Sequence, residues 1–412
     1  MSSQEGIAVR ATSLEIALLT GGQDRHYAVG LGLALVARDV AIDVIGSDRV
    51  DCPEFRGNPR VSFRNLHSNL AGAGMARKIG KVLVIYARLL HYAASAKPRI
   101  FHILWNNKLP ILDRTLLTLF YKVAGKKIVL TAHNVNAGQR DQRDSWANRA
   151  TLRIQYRLAD HLFVHTKKMK DQLVDEFDVK ASKVTVIPYG INNAVPLTEI
   201  TKEEARRKLG LRNEEKVILY FGQIKRYKGL EYLVAAYQQI AQQEDYRLII
   251  AGERQKGFEE YWGAIQQTIE RDPCRETVLQ RIEFIPDSET EIYFKSADVA
   301  VLPYTDIFQS GILFLAYAYG LPVIATDVGS FREDVIEGTT GFICPPRDSE
   351  SLAAALKHYF ESELFRELKD RRSRIRNYAV TEHSWSVVGK MTRDVYESLL
   401  YRDSGLREPD AR

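Results

Sequence analysis

Short apolar runs and longer amphipathic ones take turns along the entire sequence, and few architectures accept that order. SLEIALLT (13–20), AIDVIGSD (41–48), VSFRNL (61–66), RIFHIL (99–104), KIVLTAH (127–133), HLFVHT (161–166) and VTVIPYG (184–190) have the length and composition of buried strands. Helical stretches separate most of them, including a long basic one over 76–97. Strand, helix, strand in repetition predicts a parallel sheet with helices on both faces. The pattern lapses over 191–215, INNAVPLTEITKEEARRKLGLRNEE, a polar stretch with one short helical piece that reads as a linker. It restarts with KVILYFG (216–222), YRLIIAG (246–252) and RIEFIP (281–286), then Val299–Tyr304, Pro322–Asp327 and GFICPP (341–346). The expectation is an α/β chain of two doubly wound, Rossmann-like domains facing across a cleft, 1–190 and 216–383, with a closing helix over 384–404. Ligands then belong at the carboxyl ends of the strands.

Composition narrows the class. At 412 residues, 45% apolar and 27% charged, the chain has the make-up of a water-soluble two-domain protein. No apolar run reaches the eighteen residues of a membrane span, and the start MSSQEGIAVRATSLEIALLT lacks the build of a signal peptide. Cys52, Cys274 and Cys344 are odd in number and far apart, which argues against a disulfide framework or a thiolate metal site. A reducing, cytoplasmic setting is expected. The net charge of +6 divides unevenly: residues 1–190 carry 28 Lys and Arg against 16 Asp and Glu. A basic first half attracts an anionic partner, such as a phospholipid surface or a phosphorylated acceptor. No nucleic-acid-binding motif accompanies the charge.

Five loops fall at strand ends. Thr20-Gly21-Gly22-Gln23 lets backbone approach a ligand closely but lacks the dinucleotide fingerprint. In TAHNVN, His133 ends a strand and is read as pointing into the cleft, for a hydrogen bond to a sugar or phosphate or for proton handling. His102 and His165 lie within strands and are read as core residues. Gly222-Gln223-Ile224-Lys225-Arg226-Tyr227-Lys228-Gly229 offers Lys228 as a point charge for phosphate. Ile285-Pro286-Asp287-Ser288-Glu289 suits the edge of a nucleotide base. Lastly, Asp306–Ser310 leads into an apolar helix whose N-cap is Ser310, leaving first-turn N–H groups for an anion.

Together these phrases resemble a retaining glycosyltransferase of the GT-B fold, family 4. VTVIPYGIN, YFGQIKRYKGLEYLVAAY, ADVAVLPY and YGLPVIATDVGSFREDVIEGTTGFICPP stand in the family's order. The resemblance implies a nucleotide-sugar donor, UDP- or GDP-linked, on the second domain, an acceptor on the first, and a last helix that crosses back. It makes Lys228 the diphosphate lysine, puts Gln223 where an arginine is usual, and leaves Arg226 as the replacement. It places His133 at the sugar edge, Gly22 against the donor, and Gly21, Pro286, Gln309, Ser310, Gly311 and Ile312 around it. Two glutamates usual in the family are Ile307 and Leu315 here, with Asp306 as the substitute for the first. The implied reaction is transfer of a hexose with retention, needing no metal: the sequence has no Asp-x-Asp, and Lys228 with a helix N-terminus does a cation's work. The basic helix 76–97, with Arg77, Lys78, Lys81, Arg88 and Lys97 flanking apolar residues, points to an anionic membrane surface and a lipid-linked saccharide, polyprenyl-diphosphate-linked, in polysaccharide assembly. Loss of the glutamates also leaves room for a sugar-nucleotide-binding protein without catalysis, or for a soluble transferase acting on a small sugar or sugar phosphate.

Overall fold

A computed structural model of the chain describes residues 14–404 apart from 22–24, 49, 67–74, 141–143, 192–196 and 243–244. Thirteen strands form among the described residues, every one on a predicted apolar run or beside it. The first sheet comprises β1 (Glu15–Leu19), β2 (Ala41–Gly46), β3 (Val61–Asn65), β4 (Ile100–Ile103), β5 (Lys127–Thr131), β6 (His161–Val164) and β7 (Val184–Val186), in the order β3-β2-β1-β4-β5-β6-β7. The second comprises β8 (Lys216–Phe221), β9 (Tyr246–Ala251), β10 (Val278–Arg281), β11 (Val299–Leu302), β12 (Val323–Thr326) and β13 (Gly341–Cys344), in the order β10-β9-β8-β11-β12-β13. All pairings are parallel. Ile16–Leu19 and Val299–Leu302 are buried throughout, as strands covered on both faces must be.

Helices supply those covers. Leu230–Ile240 buries Leu230, Leu233, Val234, Tyr237 and Ile240, an i, i+3, i+4 stripe against the second sheet. In both sheets the strand order reverses beside the first strand, between β1 and β4 and between β8 and β11. Such a reversal opens a crevice at the carboxyl ends, so the two crevices are where ligands are sought.

Two segments depart from expectation. The tenth strand is Val278–Arg281, not RIEFIP, because Arg281 pairs with Ala251 at the sheet's end and the chain has left the sheet by Ile282. Of the expected loop Ile285–Glu289, the part from Asp287 on opens a helix, Asp287–Ser296, with Pro286 at the N-cap and Asp287 and Glu289 in its first turn. Inside the expected linker, the short helical piece forms as Lys202–Lys208, with a Thr201/Glu204 capping box. Its Arg206 is buried, bonding Asp298 Oδ2 at 2.8 Å and the Ser296 carbonyl at 3.0 Å. Lys202 adds a second cation at 2.5 Å to the same carboxylate. This part of the stretch is therefore fixed to the second sheet's unit.

The last helix, Trp385–Ser404, packs against Arg25–Val36 of the first sheet's unit. Tyr396 OH lies 2.5 Å from His102 Nδ1, and Thr131 Oγ1 is 2.7 Å from Nε2, so His102 is the satisfied core residue expected. Trp385 Nε1 donates to the Ile191 carbonyl at 2.7 Å, with its indole against the backbone of Gly30 and Gly190. No helix among the described residues is long and apolar enough to cross a membrane.

Candidate active site

The loop after β8 is shaped to turn one lysine inward. Residues Arg226–Lys228 make a tight 3-10 turn that ends on Gly229 at φ +61°. A Cβ on Gly229 would lie 2.0 Å from the Pro303 carbonyl oxygen, so only glycine lets this turn rest on the exit of β11. Lys228 is thereby drawn under the loop to 9% exposure, and its Nζ donates to Tyr304 OH at 3.0 Å. A Cβ on Gly222 would stand 3.2 Å from that ammonium, which is how close the lysine runs to the backbone.

Tyr304 comes from the loop after β11. Thr305 N–H donates to the Tyr227 carbonyl at 2.8 Å, tying the two loops together, and Ser330 N–H holds the Phe308 carbonyl at 3.0 Å. Ser310 takes the N-cap position of the helix Gly311–Ala318, as expected, but its side chain makes no cap bond. Its hydroxyl donates instead to Tyr304 OH at 3.3 Å. Leu313 N–H returns to the Ser310 carbonyl. The Gly311 and Ile312 N–H groups therefore open on the same space as Lys228, with Ile312 Cδ1 close over Gly222. An ammonium and a helix N-terminus meet there, an arrangement that suits a diphosphate.

The space is a cleft of about 420 Å³ between the two sheets' units. Lys228, Tyr304, Gln309, Ser310, Gly311 and Ile312 line it from one side; His26, Tyr27, Asn134 and Tyr189 line it from the other. Tyr189 stacks on Phe314 at 5.5 Å and 15°, and His26 Nε2 is 3.4 Å from Asp287 Oδ2 across the opening. Gln309 also bonds the carboxylate of Asp334, which burial pushes up to about 6, with Ser330 Oγ donating to it at 2.6 Å.

Of the expected site residues, Lys228, Gln309, Ser310, Gly311 and Ile312 come together in this cleft, and Pro286 sits between the lining residues Ile285 and Asp287. Gly22 lies outside the described residues, and Gly21, at φ +59°, is packed on the Trp105 and Asn106 carbonyls as a turn residue. Others are displaced. Gln223 is exposed and lines no part of the cleft. Arg226 is exposed on the far side of its turn, its guanidinium 5.3 Å over the Tyr261 ring, because a 3-10 turn cannot aim both residues 226 and 228 inward. Asp306 is exposed and faces two other cavities, so it stands apart from Lys228; the neighbouring Ile307 is the one that turns in.

His133 is corrected too. Its ring lies flat on Trp105 at 4.3 Å, edge-on to Tyr27 at 4.5 Å, with Nδ1 3.2 Å from His165 Nε2. Its Nε2 is enclosed without a hydrogen-bond partner among the described residues, and Asn134 takes its place on the cleft wall. Burial, then the neighbouring His165, holds the His133 pKa well below the ordinary histidine value. Ile307 and Leu315 are buried in the cleft wall, so hydrocarbon stands at both positions.

Sequence reasoning missed Tyr189, Tyr304, His26 and Trp385. A signal existed for the tyrosines: Ile187-Pro188-Tyr189 and Leu302-Pro303-Tyr304 repeat an apolar-Pro-Tyr exit from a strand. Trp385 carried none, since it reaches the cleft from the far end of the chain.

Comparison with known proteins accords with this geometry. Residues 20–195 match the Glycosyltransferase Family 4 model and residues 201–381 the Glycosyl transferases group 1 model. The chain is 28% identical over 258 residues to the D-inositol 3-phosphate glycosyltransferase of Corynebacterium urealyticum, covering 58% of this chain and 57% of that one. The chain spans 57% to 64% of the length of that relative and another of the same name from Corynebacterium diphtheriae. Sucrose-phosphate synthase from Thermosynechococcus elongatus superposes with a TM-score of 0.75 at 20% identity, over 94% of this chain and 100% of that one. Anabaena Alr3699/HepE, solved in complex with UDP and glucose, superposes with a TM-score of 0.74 at 16% identity, over 93% and 100%. The chain thus carries, in order, the two family domains of a glycosyltransferase, folded as the GT-B type.

Proposed function

We propose that the protein transfers a hexose, with retention, from a nucleoside-diphosphate sugar to a hydroxyl of an acceptor saccharide. The observation that carries this is the convergence of the buried Lys228 ammonium and the open N-terminus of Gly311–Ala318 in one cleft. As the bond to the anomeric carbon breaks, charge grows on the departing diphosphate, and these groups stabilise it without rearranging. Tyr304, held between Lys228 and Ser310, fixes both donors in place. The departing phosphate takes the proton of the acceptor hydroxyl, so no protein base is required, and a half-buried His133 with its Nε2 enclosed is compatible with that. Lys228 and the helix start supply the positive charge that a metal would otherwise bring. Among the described residues no group of three or more His, Cys, Asp and Glu is arranged to hold one.

Titrating UDP and UDP-glucose into the protein and into Lys228→Ala tests the reading. Binding should weaken by roughly two orders of magnitude in the variant, as for loss of a charge-assisted bond. Equal affinity in both proteins would remove Lys228 from the site. Ile307 and Leu315 favour a second reading, a sugar-nucleotide-binding protein without turnover. Binding of UDP-glucose with no release of glucose to any acceptor or to water would favour it.

The acceptor is read as a lipid-linked saccharide, such as a polyprenyl-diphosphate-linked one, reached at an anionic membrane surface. Helix Met75–Ser95 buries Ile85, Tyr86, Leu89 and Tyr92 while leaving Ile79, Leu83, Val84 and Leu90 exposed beside Lys78 and Arg88. The segment packed against it, Thr118–Val123, exposes Leu119 and Val123 as well. An apolar strip among cations on the more basic half is what a peripheral contact needs.

A further inference from the structure

Behind the turn that buries Lys228 lies a second and larger cavity, about 670 Å³, which the reading above leaves unused. Four cations line it: Lys225 and Arg226 from the loop after β8, Lys256 from the loop after β9, and Arg347 from the exit of β13. Two carboxylates, Glu231 and Asp306, line it as well, and Glu231 is engaged by Tyr261 OH. The positive excess stands out because the chain beyond residue 190 carries 30 Lys and Arg against 36 Asp and Glu.

Two of the cations rest on aromatic rings and a third has a fixed backbone. Arg226 lies over the Tyr261 ring at 5.3 Å and Lys225 over the Tyr227 ring at 5.8 Å. Arg347 follows Pro345-Pro346, holds φ +60°, and precedes Asp348, which caps the helix Ser349–Glu361. Its backbone is thus fixed on both sides. An excess of positive charge around a concave, partly apolar wall concentrates the field in the cavity.

Position says what kind of anion belongs there. Tyr227 lines both this cavity and the Lys228 cleft, and forms the wall between them. Thr305 and Asp306 line the cavity, and the next residue, Ile307, lines the cleft. A ligand here lies alongside the donor. Tyr227 and Phe258 give it an apolar face, suited to the ring of a sugar, and the four cations suit a phosphate.

We propose that this cavity binds the phosphate of a phosphorylated acceptor, holding it next to the donor across Tyr227. The proposal rests on the glycosyl-transfer reading and adds the chemical class of acceptor and its seat. The phosphate belongs either to a soluble sugar phosphate or to a lipid-linked saccharide.

The test titrates inorganic pyrophosphate into the wild type, Lys228→Ala, Lys256→Gln/Arg347→Gln and Lys256→Glu/Arg347→Glu, with a thermal melt of each. Both paired positions are exposed and lie outside the 222–229 loop, so the fold should hold. Pyrophosphate fits the donor cleft as well as this cavity, so Lys228→Ala should remove the cleft's share and keep the remaining site's affinity within roughly threefold, while at that site the Gln pair loses about tenfold and the Glu pair more. A graded loss separates charge from misfolding. Loss in Lys228→Ala with none in the Glu pair assigns the anion to the donor cleft and overturns the proposal, as does no binding by the wild type. Displacement of pyrophosphate by hexose 6-phosphate supports the soluble source; displacement by phosphatidylglycerol vesicles supports the lipid source. Displacement by UDP alone overturns both. Absence of UDP binding with pyrophosphate binding intact sinks the glycosyl-transfer reading and the acceptor role with it, leaving an anion site of another purpose.

Discussion

Ionisable side chains around the cleft are set by burial more than by partners, and this gives the protein opposing pH responses. Asp334 is held at about 6, so the folded chain keeps its proton where the unfolded chain has lost it. Its contribution is full below the unfolded value near 3.8 and is lost as pH rises to 6. Asp334→Asn keeps an acceptor for Ser330 and Gln309, and should raise stability at pH 7 by up to about 3 kcal/mol, two units at 1.4 each. The gain should shrink to nothing near pH 4, as thermal melts across that range would show. His165 and His383 are pushed down to about 4 and His102 to about 3, in each case chiefly by burial. Their folded values lie below the unfolded 6.5, so stability falls as pH drops from 6.5 toward 4. Three such histidines outweigh one carboxyl, and the wild-type melting temperature should decline on acidification below 6.5. Lys228 and Ser310 were legible in the sequence because spacing alone set them at strand and helix ends. His133 was misread because its ring is aimed by Trp105 and Tyr27, neither of them a sequence neighbour.

At the level of elements the sequence was read closely, since alternation of apolar runs is a local property and parallel strands repeat it without interruption. β10 slipped because QRIEFIP continues its apolar character past the point where β9 ends and pairing stops. Asp287–Ser296 was hidden by polar residues, its stability coming from Tyr293, Phe294 and Thr290 packed inward. What the reading could not give was the direction of each loop, which depends on contacts between loops. Gly229 shows this dependence. Gly229→Ala combines positive-φ strain of about 1 kcal/mol with displacement of the turn from Pro303, and should cost more than about 2 kcal/mol in all. Because that turn carries Lys228, UDP affinity should fall with it. Gly125, at φ +74° with nothing within 4 Å of its would-be Cβ, is the control: Gly125→Ala should lose about 1 kcal/mol and leave UDP affinity unchanged.

On the scale of the molecule, charge and apolar exposure favour the same half. Leu83 is 66% and Val123 79% exposed on the unit that carries the excess of basic residues. Leu83→Glu/Val123→Glu should reduce co-sedimentation with anionic vesicles at low salt while leaving UDP binding intact. If the wild type itself stays in the supernatant, the membrane contact is excluded. The two units are joined near Trp385, where the indole meets Gly30, Gly190 and the Ile191 carbonyl, so any change in their angle pivots close to that side chain.

The contact of His26 with Asp287 across the opening bears on how affinities are to be understood. Both side chains are partly solvated, 30% and 43% exposed, so the pair contributes at most about 1 kcal/mol. A latch that weak cannot hold the lips together by itself, and Tyr189 stacked on Phe314 joins the two units as well. His26→Ala should therefore weaken UDP binding by no more than about fivefold, the ~1 kcal/mol of the pair.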